Sequence, residues 1–281
     1  MAELYAWASY MNPLMEHAYV TSSAGHRWPC FGGTDRGRPI GSGLGHPEVA
    51  QCLSLPDSEA GINYGLTGVC HQAANRILWP AKVLVSQARS YNLSVMIYGA
   101  YGTPNETAER KWRERIGQCS AAQDKSASQI SFTWDGDNPP AVPSADQEYA
   151  EKLIRLHLQA GERGPVELLA RETALLIDYR LPGTGSQLVR TVQDIQRELL
   201  AEKETLDKVL LRKHVGGEKY AAEVNDLINQ ELAQFLELLG AQYYEQLFGL
   251  KPGERCDLVD QIVHLGRILF AAHMLPEQHL V

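Results

Sequence analysis

From residue 145 onward, apolar side chains recur at intervals of three and four. Tyr149, Leu153, Leu156 and Ala160 define one face of a helix from Ala145 to Gly161, with Ser144 as its N-cap and Gly161 as its stop. Pro165, suited to a first helical turn, opens a second helix that runs to Arg180 and breaks at Leu181-Pro182-Gly183. A third extends from Ser186 to His214, with Leu188, Val192, Ile195, Leu199, Leu206 and Leu210 on one side and Gly216-Gly217 at its end. The fourth, Glu218 to Phe248, carries Val224, Leu227, Ile228, Leu232, Phe235, Leu239 and Tyr243 as its stripe. Beyond the turn Lys251-Pro252-Gly253, the segment Cys256 to Met274 reads as a last helix. Five amphipathic helices joined by short turns predict an antiparallel bundle.

The earlier residues follow no such period. Ala18–Ser22 and Ser94–Gly99 are short, β-branched or aromatic, and bounded by turn formers, which predicts strands. Glycines crowd the run from Cys30 to Gly45, which predicts loops and turns. Cys70–Trp79 reads as a helix with Ala73, Ala74, Ile77 and Leu78 inward and Pro80 as its stop; Asn105–Ile116 reads as a charged, exposed helix. Pro139, Pro140 and Pro143 mark a linker in the later part of 120–144. The expectation is an α+β chain: residues 1–140 hold a small antiparallel sheet and a cysteine-bearing helix, and residues 141–281 form an all-α helical bundle.

Charge divides at the same place. The chain carries 34 Asp and Glu against 26 Lys and Arg, a formal net charge of -8. Residues 1–144 hold 11 basic and 12 acidic side chains, whereas residues 145–281 hold 15 and 22. This acidic balance excludes the phosphate-neutralising surface on which nucleic-acid binders depend, so no nucleic acid is expected as a partner. No run approaches 18 apolar residues, and the N-terminus has neither a basic region nor an apolar core of the kind a signal peptide needs. A product that is cytoplasmic as synthesised, with export by a route that reads no cleavable signal, fits these features. Five irregularly spaced cysteines do not predict a disulfide scaffold.

The sharpest chemical feature is the stretch Gly61 to Leu78, in which a glycine-punctuated loop delivers Cys70 to the first turn of a helix. Free N–H groups and the positive end of the helix dipole stabilise a thiolate there. Gly65 and Gly68 allow close approach of a substrate backbone, and N–H groups around Cys70 are candidates for an oxyanion hole. A thiolate needs a base. His71 diverges from Cys70 by about 100° around the helix, so it is a poor partner. His17 opens a strand-like run that would hold its ring rigidly. His26 lies across a short turn, where a hairpin could bring it to His17 as an orienting third residue. His46, before Pro47, caps a turn. Trp28, Phe31, Tyr64, Trp79, Tyr98 and Tyr101 are candidates to line a cleft, with Trp28, Tyr64 and Gly68 nearest the expected substrate.

A helix-start cysteine combined with a strand-borne histidine resembles the papain-like thiol hydrolases, and in particular the NlpC/P60 superfamily. Because His17 and His26 precede Cys70, the order is similar to that of the circularly permuted branch. The resemblance covers residues 15–100 and implies Cys70 as nucleophile, His17 as base and His26 as a possible third residue. It differs from that branch in placing a predicted strand, Ser94–Gly99, after the cysteine helix. The family cleaves amides, esters and isopeptides, notably peptidoglycan stem peptides, without a cofactor, and some relatives are antibacterial effectors. The resemblance thus implies a peptide or peptidoglycan-like substrate, and a protein partner or inhibitor for the helical half.

Two other classes compete with a cysteine hydrolase. His26, Cys30, His46 and Cys52 offer four zinc-type ligands at unusual spacings. A non-enzymatic interaction protein would use the helical half to bind a partner. His264, His273 and His279 near the C-terminus form a further, weaker candidate metal group.

Overall fold

The computed structural model describes residues 1–12, 15–55, 59–123, 144–159, 164–213 and 217–260. The later part of the expected linker, the helix stops at Gly161 and His214, and most of the expected last helix, with His264, His273 and His279, lie outside the described residues.

The chain is α+β. Four antiparallel strands, β1 (Ala2–Asn12), β2 (Met15–Ser22), β3 (Arg27–Trp28) and β4 (Arg38–Gly45), form one sheet in the order β3-β2-β1-β4. Side chains alternate across β1 and β2. Leu4, Ala6 and Ala8 face inward beside Val20 and Ala18, and small residues there let a helix approach the sheet closely. Trp7 and Tyr19, directly paired, stack at 6.1 Å on the other face.

Two expectations about the first half are overturned here. The glycine-rich run is not all loop, because its second part is β4. Glycine is required there by crowding: a Cβ on Gly43 would fall 2.6 Å from the Ala81 carbonyl oxygen. The predicted strand Ser94–Gly99 instead forms the second part of a helix, Tyr91–Tyr98, and its cap Gly99. All eight residues of that helix are buried, and an apolar run buried on every side has no period by which to tell helix from strand.

The helices of the first half are α1 (Pro47–Ser54), α2 (Cys70–Leu78), α3 (Tyr91–Tyr98) and α4 (Glu106–Gln123). Those of the second are α5 (Ser144–Gln159), α6 (Pro165–Arg180), α7 (Ser186–Arg212) and α8 (Glu218–Phe248). Their starts and ends follow the amphipathic pattern closely. The segment expected as a fifth helix does not begin as one, since Cys256–Asp260 is non-helical, with a bend at Val259. Within α8, Gly240 interrupts the helix with φ of 70°.

One continuous hydrophobic core runs from the sheet into the helical half. Helix α3 joins the two, packing against α2, α6, α7 and α8. Asn92 donates to the Leu247 carbonyl at 2.6 Å, and Gln196 donates to the Met96 carbonyl at 2.7 Å. No described helix is long and apolar enough to cross a membrane.

Candidate active site around Cys70

Helix α2 is buried on every side, including its polar face. Gln72 accepts the Val69 N–H at 3.0 Å and so closes the helix start. The same side chain donates to the Gly99 carbonyl, Asn75 to that of Ala100, and Arg76 to those of Tyr101 and Gly102. Three side chains thus satisfy four successive carbonyls in the turn after α3. Arg76 also donates to the Ala60 carbonyl and lies over the Trp112 ring at 4.8 Å. This polar ladder holds α2 rigidly, and with it Cys70.

The strand pairing explains where Cys70 lands. β3 pairs with β2 only at Val20 and Thr21, which leaves the outer edge of β2 open from Met15 to Tyr19. The start of α2 fills that edge. His71 donates from Nε2 to the Glu16 carbonyl at 3.2 Å, and the Cys70 thiol meets the backbone N–H of Ala18, the residue after His17.

Cys70 is only 5% exposed. Burial, with a smaller push from the Asp260 carboxylate, raises its thiol to about 11 against the pull of the N–H groups of Ala18, His71 and Cys70 itself. The expected activation by the helix start is therefore present but outweighed by desolvation. Cys30, also buried, has its thiol raised by desolvation and by the neighbouring Cys70.

His17 sits in β2 as expected, beside the residue that meets Cys70. Its ring stacks on Tyr19 at 6.1 Å, and Nε2 lies 3.1 Å from the Gly33 carbonyl. Burial lowers its pKa, partly opposed by the Gly33 and Pro29 carbonyls, so the ring is neutral near pH 7. With the proton on Nε2, Nδ1 is the basic nitrogen. The loop around the ring needs glycine at position 32, where a Cβ would fall 2.6 Å from the imidazole. Cys30 and Phe31 in the same loop adopt left-handed backbone, with φ of 49° and 81°, a strained arrangement for two successive non-glycine residues. Among the described residues no hydrogen bond joins His17 to Cys70.

The other expected positions fall as follows. The hairpin between β2 and β3 forms, but His26 pairs with its Ser22 end, with Nδ1 3.1 Å from Ser22 Oγ and its ring stacked on Trp28 at 5.3 Å. Five strand residues, roughly 16 Å, separate that end from His17, so His26 is not its orienting partner. Trp28 is 1% exposed and donates to Gln51, which makes it a core residue rather than a cleft wall. Tyr64, 6% exposed, tilts against Phe31 at 4.9 Å beside Cys70. Gly68 serves α2 directly, since a Cβ there would press on Gln72 at 2.8 Å. Trp79, Tyr101 and Trp112 form a buried ring cluster with His157.

Cys52 and Cys119 are joined in a disulfide between α1 and α4, which corrects the expectation that no cysteine acts as a staple. It also removes Cys52 from the zinc set, and among the described residues no group of three or more His, Cys, Asp or Glu is arranged to hold a metal. His46 stands at the N-cap of α1 without a side-chain hydrogen bond there.

Sequence reasoning passed over the residues that build this site: Gln72, Asn75, Arg76 and Asp260. The first three were legible as polar residues at three- and four-residue spacing opposite the apolar face of Ala73, Ala74, Ile77 and Leu78. Asp260, 190 positions from Cys70, gave no local signal. Comparison with protein-family models, curated proteins and solved structures finds no match to the chain.

Proposed function

We propose that the chain is a cysteine hydrolase of amide or peptide bonds, with Cys70 as nucleophile and His17 as base, in a papain-like arrangement similar to the permuted NlpC/P60 branch. The observation that carries this reading is the seating of a helix-start thiol against the backbone of the residue next to a neutral, strand-held histidine. In the reaction His17 Nδ1 takes the thiol proton and the thiolate attacks the substrate carbonyl. The leaving amine departs with that proton, and water then hydrolyses the thioester, returning the thiol. This requires His17 Nδ1 to come within hydrogen-bonding reach of the Cys70 thiol while Nε2–H stays on the Gly33 carbonyl. A peptide or peptidoglycan-like substrate, as for an antibacterial effector, fits the reading. The Cys52–Cys119 disulfide supports work in an oxidising compartment and hence export of the chain. The helical half is then the surface for a partner or inhibitor.

Purified wild-type protein, Cys70→Ala and His17→Ala are to be compared on peptidoglycan sacculi, with muropeptide release followed by mass spectrometry. Both substitutions should reduce release by about a thousandfold or more. Equal release by wild type and Cys70→Ala sinks the proposal.

A second reading is favoured by the absence of a Cys70–His17 hydrogen bond among the described residues and by the raised thiol. In it Cys70 is a core residue and the chain is an interaction protein. Cys70→Ala would then leave every phenotype of the wild-type chain intact.

A further inference from the structure

The segment after α8 does something the helical pattern did not foresee. The chain leaves that helix through Gly249, with φ of 67°, and turns at Lys251–Gly253, where Glu254 N–H donates to the Lys251 carbonyl and Gly253 has φ of 77°. It then runs beside α8 without regular structure, fastened by two asparagines one helical turn apart. Asn229 accepts the Cys256 N–H at 2.8 Å and donates to the Cys256 carbonyl at 3.0 Å. Asn225 treats Val259 in the same way, accepting and donating at 2.9 Å. Each side-chain amide thus imitates a neighbouring strand.

The far end of this segment lies on the candidate site. Val259 packs on Gly65, and a Cβ there would lie 3.1 Å from its side chain. Asp260 N–H donates to Tyr64 Oη at 3.0 Å, and Tyr64 in turn packs on Phe31. Within the segment, Cys256, Leu258 and Val259 are themselves fully buried. We infer that residues 251–260 are an inhibitory strap, which covers Cys70 in the resting protein and lifts to admit a carbonyl substrate. The inference takes Cys70 as the reacting thiol and so rests on the hydrolase reading.

Its polar fastenings are side-chain amides and the ion pairs Arg89–Glu254 and Arg255–Asp226, with left-handed glycines at the hinge, and opening also exposes the buried side chains of Cys256, Leu258 and Val259. The scaffold of Cys70 does not depend on them, because the ladder from Gln72, Asn75 and Arg76 ends on residues 60 and 99–102. Lifting the strap also carries the Asp260 carboxylate away from the thiol, which favours the thiolate.

Cys256 lies in the strap and Cys30 in the first-half core, so the free cysteines report on the test themselves. Full-length wild type and Asn225→Ala are alkylated with iodoacetamide, and each cysteine is followed by peptide mass spectrometry. In the variant, Cys70 and Cys256 should react at least roughly tenfold faster than in the wild type, the factor expected for two lost hydrogen bonds, while Cys30 stays slow. Faster Cys256 with unchanged Cys70 overturns the inference. Should the variant fail to fold, wild type in graded urea below its unfolding transition serves instead. There Cys70 should follow Cys256; if it follows Cys30, the strap does not govern access. Coupled labelling without Cys70-dependent hydrolysis rejects the hydrolase and keeps the cover. Cys70-dependent hydrolysis with uncoupled labelling rejects the strap alone.

Discussion

Cys70 is under two opposed influences, and their balance is measurable. The helix start favours the thiolate and enclosure favours the thiol, and enclosure wins, with the pKa pushed up to about 11. In the closed protein near pH 7, alkylation of Cys70 should be over roughly a hundredfold slower than that of an unfolded cysteine. Its rate should rise with pH up to about 11. An inflection below 8.5, roughly the value of a free thiol, would show that the helix start dominates. The raised value also stabilises the fold below the thiol's ordinary range, a contribution lost as pH climbs toward about 11. His71 behaves in the opposite sense. Its buried ring, held by Ser94 Oγ and the Glu16 carbonyl, has a pKa lowered to about 4. Stability from the neutral ring is complete above the ordinary histidine value of 6.5 and is lost as pH falls toward about 4. Melting temperatures across that range should decline in wild type and flatten in His71→Gln. The cysteine was legible from its glycine-rich approach; the sign of its pKa shift was not, because burial depends on residues far along the chain.

At the scale of elements, α2 and the α1–α4 pair hold the site in place. Asn75 joins α2 to the Ala100 carbonyl and accepts the Val85 N–H at 2.9 Å. Asn75→Ala leaves both buried groups without this partner and should cost about 2–4 kcal/mol in urea unfolding. A loss below about 0.5 kcal/mol would mean the ladder is not what fixes the helix. The disulfide closes a loop of 67 residues. Cys119→Ser should lower stability by about 2–4 kcal/mol, and reductant should do the same to wild type but not to the variant. Long amphipathic helices were readable because one wet face reveals the period. β4 was obscured by glycines that its neighbours require, and α3 by burial that removed its polar face.

For the whole molecule, the change in composition near residue 145 coincides with no break in the core. Glu172 of α6 shows how closely the halves are tied. Fully buried, it lies 2.7 Å from His157 Nε2 through one carboxylate oxygen and accepts the Ala100 N–H through the other. Both halves should therefore unfold in a single calorimetric transition, with calorimetric and van't Hoff enthalpies in agreement. Two separated transitions would show that the interface around α3 is weaker than its burial implies.

Local pattern along the chain was enough for the α+β class, the four long helices and the placing of a cysteine at a helix start. These depend on patterns spanning a few residues, where side-chain period and turn chemistry act locally. Tertiary structure alone decided that Cys52 meets Cys119, that α3 is a helix, that His26 is remote from His17, and that the Asp260 carboxylate acts on the Cys70 thiol. Each depends on which distant segments exclude water from one another, and no local pattern encodes that. For Cys70 that exclusion outweighs the helix start, so the residue most conspicuous in the sequence owes its resting protonation to burial that no local pattern encodes.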